Sequence, residues 1–324
     1  MPPTSITLHI AGVALTLYGE GLTDIFFGTP LGAEALDCFV ESGNGLAEAV
    51  GEGAQAYSSH GALHCVPLTC CVEVRVVECW PVPMGEALSQ KNSSNHTLGE
   101  TRTAAGDSNS IDGTQFCYWR EDVRLELSAD GTTGVTWMDG SRGEIWAVVQ
   151  LVLSALLLRE GGGLIHGSAG VVDGHAWLNP GPSGTGKSTI AREAGFDHVL
   201  ADEIVAVRPR GDGAGYIAWG TPFWSQGRTL PLNPRGAPIA VMTRPVKATQ
   251  VALGPLADDE AVAWLLRCVT VYDNAPATRG AAFGLACDLV SRVDPIRLEF
   301  PKEGPWLPAA LKAYRQISSS RPMT

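Results

Sequence analysis

Residues 181–188, GPSGTGKS, restrict the fold of this chain more than any other segment. They satisfy G-x-x-x-x-G-K-[ST], a pattern in which glycines let backbone N–H groups approach phosphate oxygens, the lysine reaches the β- and γ-phosphates, and the hydroxyl holds Mg²⁺. The flanks agree with it. "HAWLNP" (175–180) reads as a buried strand running into the loop, and "KSTIAREAG" (187–195) as a short helix whose N-terminus faces the phosphates. A strand, a glycine loop and a helix in that order require an α/β architecture. The expected nucleotide contacts are Gly181, Ser183, Gly184, Thr185, Gly186, Lys187, Ser188 and Thr189, with ATP and Mg²⁺ as the bound species.

Two neighbouring segments sharpen the expectation. "LIHGSAGVV" (164–172) and "HAWLNP" flank Asp173 and Gly174, a dipeptide suited to a two-residue type I′ hairpin turn. Pairing then runs with residue numbers summing to 347, so Val172 faces His175 and His166 faces Gly181, beside the loop. "HVLADEIVAVRP" (198–209) reads as an apolar strand with Asp202 and Glu203 in its middle. Adjacent carboxylates on a buried strand are costly unless a cation meets them, and a Mg²⁺–phosphate complex would do so. Asp202 follows Lys187 by only fifteen residues, whereas most P-loop ATPases and GTPases place this acid after further βα units.

The remaining sequence sets the frame. A net charge of −11 argues against a nucleic-acid-binding face. The eight cysteines follow no disulfide or zinc spacing and no leader-like segment precedes them, so free thiols in a reducing cytoplasm are expected. "IWAVVQLVLSALLL" (145–158) is too short to span a bilayer and predicts a core helix, so no membrane contact is expected. "ITLHIAGVALTLYG", "CVEVRVVEC" (71–79) and "VRLEL" (123–127) carry strand patterning, which makes residues 1–140 a β-rich N-terminal module. Within it the polar stretch near 89–113 predicts a mobile loop, and His60, His64, Cys65, Cys70 and Cys71 fit no common zinc pattern. Residues 141–324 form the nucleotide-binding part. Helices are expected over 256–272, over 277–293 and from about Trp306 to Ile317, with a strand at "PIRLEF". From Gly213 to Ala257 no Asp or Glu occurs, while Arg228, Arg235, Arg244 and Lys247 do, a basic island able to hold phosphates or an acidic substrate. Arg228, following "GTPFWSQG", is the expected ligand contact among them.

Taken together, "HGSAGVVDG", "GPSGTGKST" and "LADE" resemble the HPr kinase/phosphorylase-like family, whose fold is related to phosphoenolpyruvate carboxykinase. "GTPFWSQGR" (220–228) and "RLEFPKEGPW" (297–306) are similar to HPr-kinase-like relatives of unassigned substrate. The resemblance spans about residues 160–305. It implies a P-loop domain of the HPr kinase/PEP carboxykinase type with a mixed sheet. It also implies that Lys187 binds phosphate, Ser188 holds Mg²⁺, Asp202 accepts the proton of a substrate hydroxyl, and His166 pairs with Asp202. Glu203 stands where the family has a second Asp and takes the metal-associated role. Thr189 departs from the family's glutamate, so neither phosphorylase activity nor HPr as substrate is implied. The expected function is ATP-dependent phosphoryl transfer to a hydroxyl, on a Ser or Thr of a peptide or protein or on a small molecule. Two alternatives stay open, a nucleotide-binding or hydrolysing sensor and an accessory binding protein, and so does the oligomeric state.

Overall fold

A computed structural model describes residues 4–19, 22, 39–41, 68–76, 100–101, 114–119, 123–128, 131–138, 144–223, 231, 233–272 and 275–320. The N-terminal apolar stretch is a hairpin rather than one strand. Strand β1 (Thr4–Ile10) turns through Ala11 and Gly12, both at positive φ (54° and 73°), into β2 (Val13–Gly19). Period-two alternation then buries Ile6, Leu8, Ile10, Val13, Leu15 and Leu17 on one face. The hairpin belongs to an eight-stranded sheet with β3 (Val40–Glu41), β4 (Leu68–Val76), β5 (Glu100–Thr101), β6 (Thr114–Trp119), β7 (Val123–Ser128) and β8 (Thr133–Met138). Its order is β3-β1-β2-β4-β8-β7-β6-β5, with β4 parallel to both β2 and β8. Strand β5 falls within the stretch expected to be a mobile loop and pairs with Tyr118 and Trp119 of β6; the rest of 89–113 lies outside the described residues.

Helix α1 (Glu144–Arg159) is the expected core helix. Its Ile145, Val148, Val149, Val152, Leu153, Leu156 and Leu157 share one core with the first sheet and with Leu164, Ala206, Ile217 and Trp219 of the second. Among the described residues no helix is long and apolar enough to cross a membrane. At the seam between the sheets the Arg208 side chain, 2% exposed, donates from Nη1 to Ala11 O at 2.9 Å.

The second sheet collects β9 (Gly163–Val172), β10 (His175–Pro180), β11 (His198–Ala201), β12 (Ile204–Pro209), β13 (Tyr216–Trp219), β14 (Gly236–Lys247), β15 (Ala252–Pro255) and β16 (Asp294–Phe300). It is mixed: β10 and β16 run parallel to β14 and the other pairings are antiparallel. The β9–β10 hairpin has the expected register, from Val172↔His175 to Gly167↔Pro180, and Asp173 and Gly174 both take positive φ (51° and 76°), as a type I′ turn requires. Because β14 pairs with β13 near its start and with β10 further on, the path β10-β9-β12-β13-β14 returns to β10 and closes a ring.

Helices cover both faces. α2 (Lys187–Glu193) and α5 (Leu307–Ser320) pack over Trp177, Val241, Leu298, Phe300 and Trp306. α3 (Asp258–Leu266) and α4 (Pro276–Arg292) cover Ile165, Val205, Ala218 and Met242. Three carboxylates in the first turn of α3 complement the helix dipole, and Pro276 starts α4 where no amide partner is needed. The chain is thus α/β, built on mixed sheets.

Candidate functional site

The glycine-rich loop leaves β10 and enters α2, and strand β9 fixes its base. Gly181 N donates to His166 O at 3.0 Å, Gly167 N to Glu203 O at 2.9 Å, and His166 N to Cys268 O at 2.7 Å. One residue of β9 is therefore tied to the loop and to the segment after α3, and its neighbour to the acidic pair. Buried Asn179 adds a second tether: its Oδ1 accepts from Thr243 Oγ1 at 2.7 Å, and its Nδ2 donates to Trp177 O and Ser168 O. Trp264 of α3 supplies a third, donating Nε1–H to Pro180 O at 3.0 Å.

Two glycines of the loop are enforced by space. A Cβ at Gly181 would stand 2.4 Å from Thr185 Oγ1, and one at Gly186 (φ 100°) would stand 2.6 Å from Phe300 Cζ. Inside the loop, Pro182 O accepts from Thr185 N at 3.3 Å, Thr185 Oγ1 at 2.8 Å and Lys187 Nζ at 3.2 Å. Ser183 and Gly184 are exposed, while Ser188 and Thr189 at the start of α2 are half-buried.

Lys187 is only 5% exposed. Burial pushes its pKa down, opposed near neutral pH by the carboxylate charges of Glu203 and Asp202. The thiol of Cys268 is pushed up to about 12 by burial, so it is neutral near pH 7.

The acidic pair departs from the expectation in two ways. First, residues 198–209 are not one strand: β11 ends at Ala201, Asp202 and Glu203 form a bend, and β12 begins at Ile204. Pairing with β9 nonetheless keeps its register across the bend, from Ala201↔Ala169 to Ile204↔His166. Second, His166 pairs with Glu203, not with Asp202, through Nε2 and Oε1 at 2.9 Å. In a regular strand Glu203 would point away from the face that His166 shares with Ile204; the bend turns its carboxylate toward the histidine. The His166 hydrogen bond is the main reason the Glu203 carboxyl sits below the usual glutamate value, with Lys187 helping and burial opposing. Asp202 is the more buried of the two, at 5% exposure.

The described residues of the basic island, Arg235, Arg244 and Lys247, have separate surroundings. Arg244 pairs with Glu260 and lies over the Trp264 ring, and Arg235 lies close enough to His198 to depress its pKa, though burial of the imidazole contributes more. Among the described residues of the island, Lys247 comes to the loop, with Cε 3.5 Å from the place a Gly186 Cβ would take. Arg228 lies outside the described residues, as do His60, His64 and Cys65. Sequence reasoning did not single out Trp264, Arg267 or Cys268 as site residues. Their spacing from the loop carries no local signal, and pairing of the segment 268–270 with β9 brings them in.

Among the described residues no three His, Cys, Asp or Glu side chains converge as a metal cage. The oxygen donors near Lys187 are the Ser188 hydroxyl and the carboxylates of Asp202 and Glu203. Mg²⁺ commonly binds through one or two carboxylates together with substrate phosphates and water, so this donor set fits a magnesium carried by a nucleotide. Comparison with known proteins finds no matching family model and no matching curated protein.

Proposed function

We propose that the chain is a Mg·ATP-dependent phosphotransferase of the HPr kinase-like type, acting on a hydroxyl. The observation that carries this reading is a glycine loop with a buried lysine, Lys187, whose base is tied to His166, while the acidic bend Asp202–Glu203 is tied to the same stretch of β9 through Gly167 N and the His166 ring. Phosphoryl transfer asks a protein for positioning and charge neutralisation more than for covalent chemistry, and these groups provide both. Loop N–H groups and Lys187 bind the β- and γ-phosphates. Ser188 and Glu203 hold Mg²⁺, which neutralises phosphate charge when bound. Asp202 receives the proton from the acceptor hydroxyl. His166 acts on Glu203, keeping that carboxylate ionised and aimed.

The test is incubation with γ-labelled ATP, Mg²⁺ and candidate peptide, protein and small-molecule acceptors. Lys187→Ala is expected to lose nucleotide binding by calorimetry. Asp202→Asn is expected to keep it while transfer falls by about 10²–10⁴, the usual contribution of a positioned base. Label appearing only in inorganic phosphate would favour the sensor reading. Transfer at the wild-type rate by Asp202→Asn would remove the base assignment.

A further inference from the structure

Trp264 joins the last turn of α3 to the entry of the glycine loop through its hydrogen bond to Pro180 O. Two guanidinium groups lie against that indole, Arg244 at 4.9 Å and Arg267 at 5.6 Å from the ring centroid. Their surroundings differ. Arg244 is neutralised by Glu260. The exposed Arg267 side chain has neither a hydrogen bond nor an ion pair among the described residues, and its one contact of note is the ring. Its backbone position is close to the reacting groups: the next residue, Cys268, accepts the His166 N–H at 2.7 Å, and Thr270 N donates to Leu164 O at 2.8 Å. Arg267 therefore leaves the chain one residue from the partner of His166 and rests on the ring that touches the loop. A guanidinium within cation–π reach of an indole is partly positioned by the ring while its N–H fork stays available, so it loses less freedom on binding a two-oxygen anion.

We infer that Arg267, seated on Trp264, is an oxyanion-binding residue at the rim of the nucleotide site. It takes oxygens of the terminal phosphoryl group of a nucleoside triphosphate, or of a free phosphate beside a nucleoside diphosphate. The inference rests on the nucleotide-binding reading and adds a residue that the loop motif does not contain. Arg244, paired with Glu260, supports the indole. Arg267 also caps the C-terminus of α3, where a cation suits the helix dipole. That structural role acts on stability and does not distinguish a triphosphate from a diphosphate.

Calorimetry with Mg·ATP, with Mg·ADP, and with inorganic phosphate added to Mg·ADP-loaded protein separates these roles. Arg267→Ala is expected to weaken Mg·ATP about tenfold or more while leaving Mg·ADP within about twofold, since a charge-assisted hydrogen bond is worth at least that ratio. Arg267→Lys, which keeps charge but not the planar fork, falls between. Trp264→Phe keeps a ring but loses the tether to Pro180 and gives a smaller loss in the same direction. Phosphate binding to Mg·ADP-loaded wild type that disappears in Arg267→Ala identifies free phosphate as a ligand of the same site; phosphate binding confined to neither assigns the contact to the triphosphate. Equal loss for ATP and ADP, or no loss for either, overturns the inference and leaves the nucleotide reading standing. If wild type binds neither nucleotide, that reading fails, and inorganic phosphate alone decides: binding to wild type but not to Arg267→Ala preserves the anion site, and equal binding or none ends it.

Discussion

Substituting Gly186 by alanine tests whether the loop owes its shape to the C-terminal strand packed behind it. Gly186 has φ 100°, and a Cβ there would stand 2.6 Å from Phe300 Cζ and 3.3 Å from Phe300 Cε2. Gly184 supplies the control, because it too has positive φ (84°) yet a Cβ on it meets nothing within 4 Å. The backbone term alone costs about 1–2 kcal/mol for a left-handed L-residue. Forcing a methyl against an aromatic ring in a packed core costs roughly 1–3 kcal/mol more. Phe300 is 1% exposed and stacks on Trp306, so it has little room to withdraw. Gly184→Ala should therefore cost about 1–2 kcal/mol and Gly186→Ala about 2–5 kcal/mol in urea unfolding. Phe300→Leu shortens the opposing side chain, so Gly186→Ala combined with it should show a compensating coupling of about 1–2 kcal/mol. Mg·ATP binding should follow the same order, lost most fully in Gly186→Ala. Equal destabilisation by the two glycine substitutions, or strictly additive costs in the double variant, would refute the claim that Phe300 shapes the loop.

Two further predictions concern ionisable groups. His166→Ala should raise the Glu203 pKa, followed by carboxyl-carbon NMR, because the histidine hydrogen bond is the chief influence lowering it. A carboxyl depressed in the folded state stabilises it above the unfolded pKa, and that contribution is lost as pH falls through the folded value. The stability advantage of wild type over His166→Ala should therefore be complete above the ordinary glutamate value of 4.5 and shrink on acidification below it; a Glu203 titration unchanged by the substitution would contradict the pairing. Arg208→Met keeps a buried side chain of similar length but removes the donor to Ala11 O. It should cost about 1–3 kcal/mol and speed amide exchange in β1 and β2, and unchanged exchange there would show that Arg208 does not secure the seam.

Much of the second sheet was legible because its signals are short-range. Asp173-Gly174 dictates a tight turn, and a tight turn dictates register, so the expected facing of Val172 and His175 appears as paired residues and His166 O reaches Gly181 N. The core helix α1 follows from a run of fourteen residues, all apolar but Gln150 and Ser154, between charged ends. Reading residues 198–209 as one strand failed at Asp202 and Glu203, since composition describes burial but not the direction of a carboxylate at a bend. The N-terminal segment read as a strand became a hairpin because Ala11 and Gly12 both accept positive φ, a turn that alternation alone does not mark.

Local sequence was enough to specify the glycine loop, the strand before it, the helix after it, the hairpin that brings His166 to its base, and the proximity of an acidic pair. All of these depend on residues within a few positions of one another, where steric limits and turn geometry act directly. Tertiary structure alone decided which carboxylate His166 binds, that β14 pairs with β10 and β13 and closes the ring, and that Phe300 backs Gly186. It also decided that Trp264 and Cys268 bond to the base of the loop and to His166. Those contacts join residues far apart along the chain, and they are selected by which strands pair and which faces must be buried together, a property of the whole sheet and its covering helices.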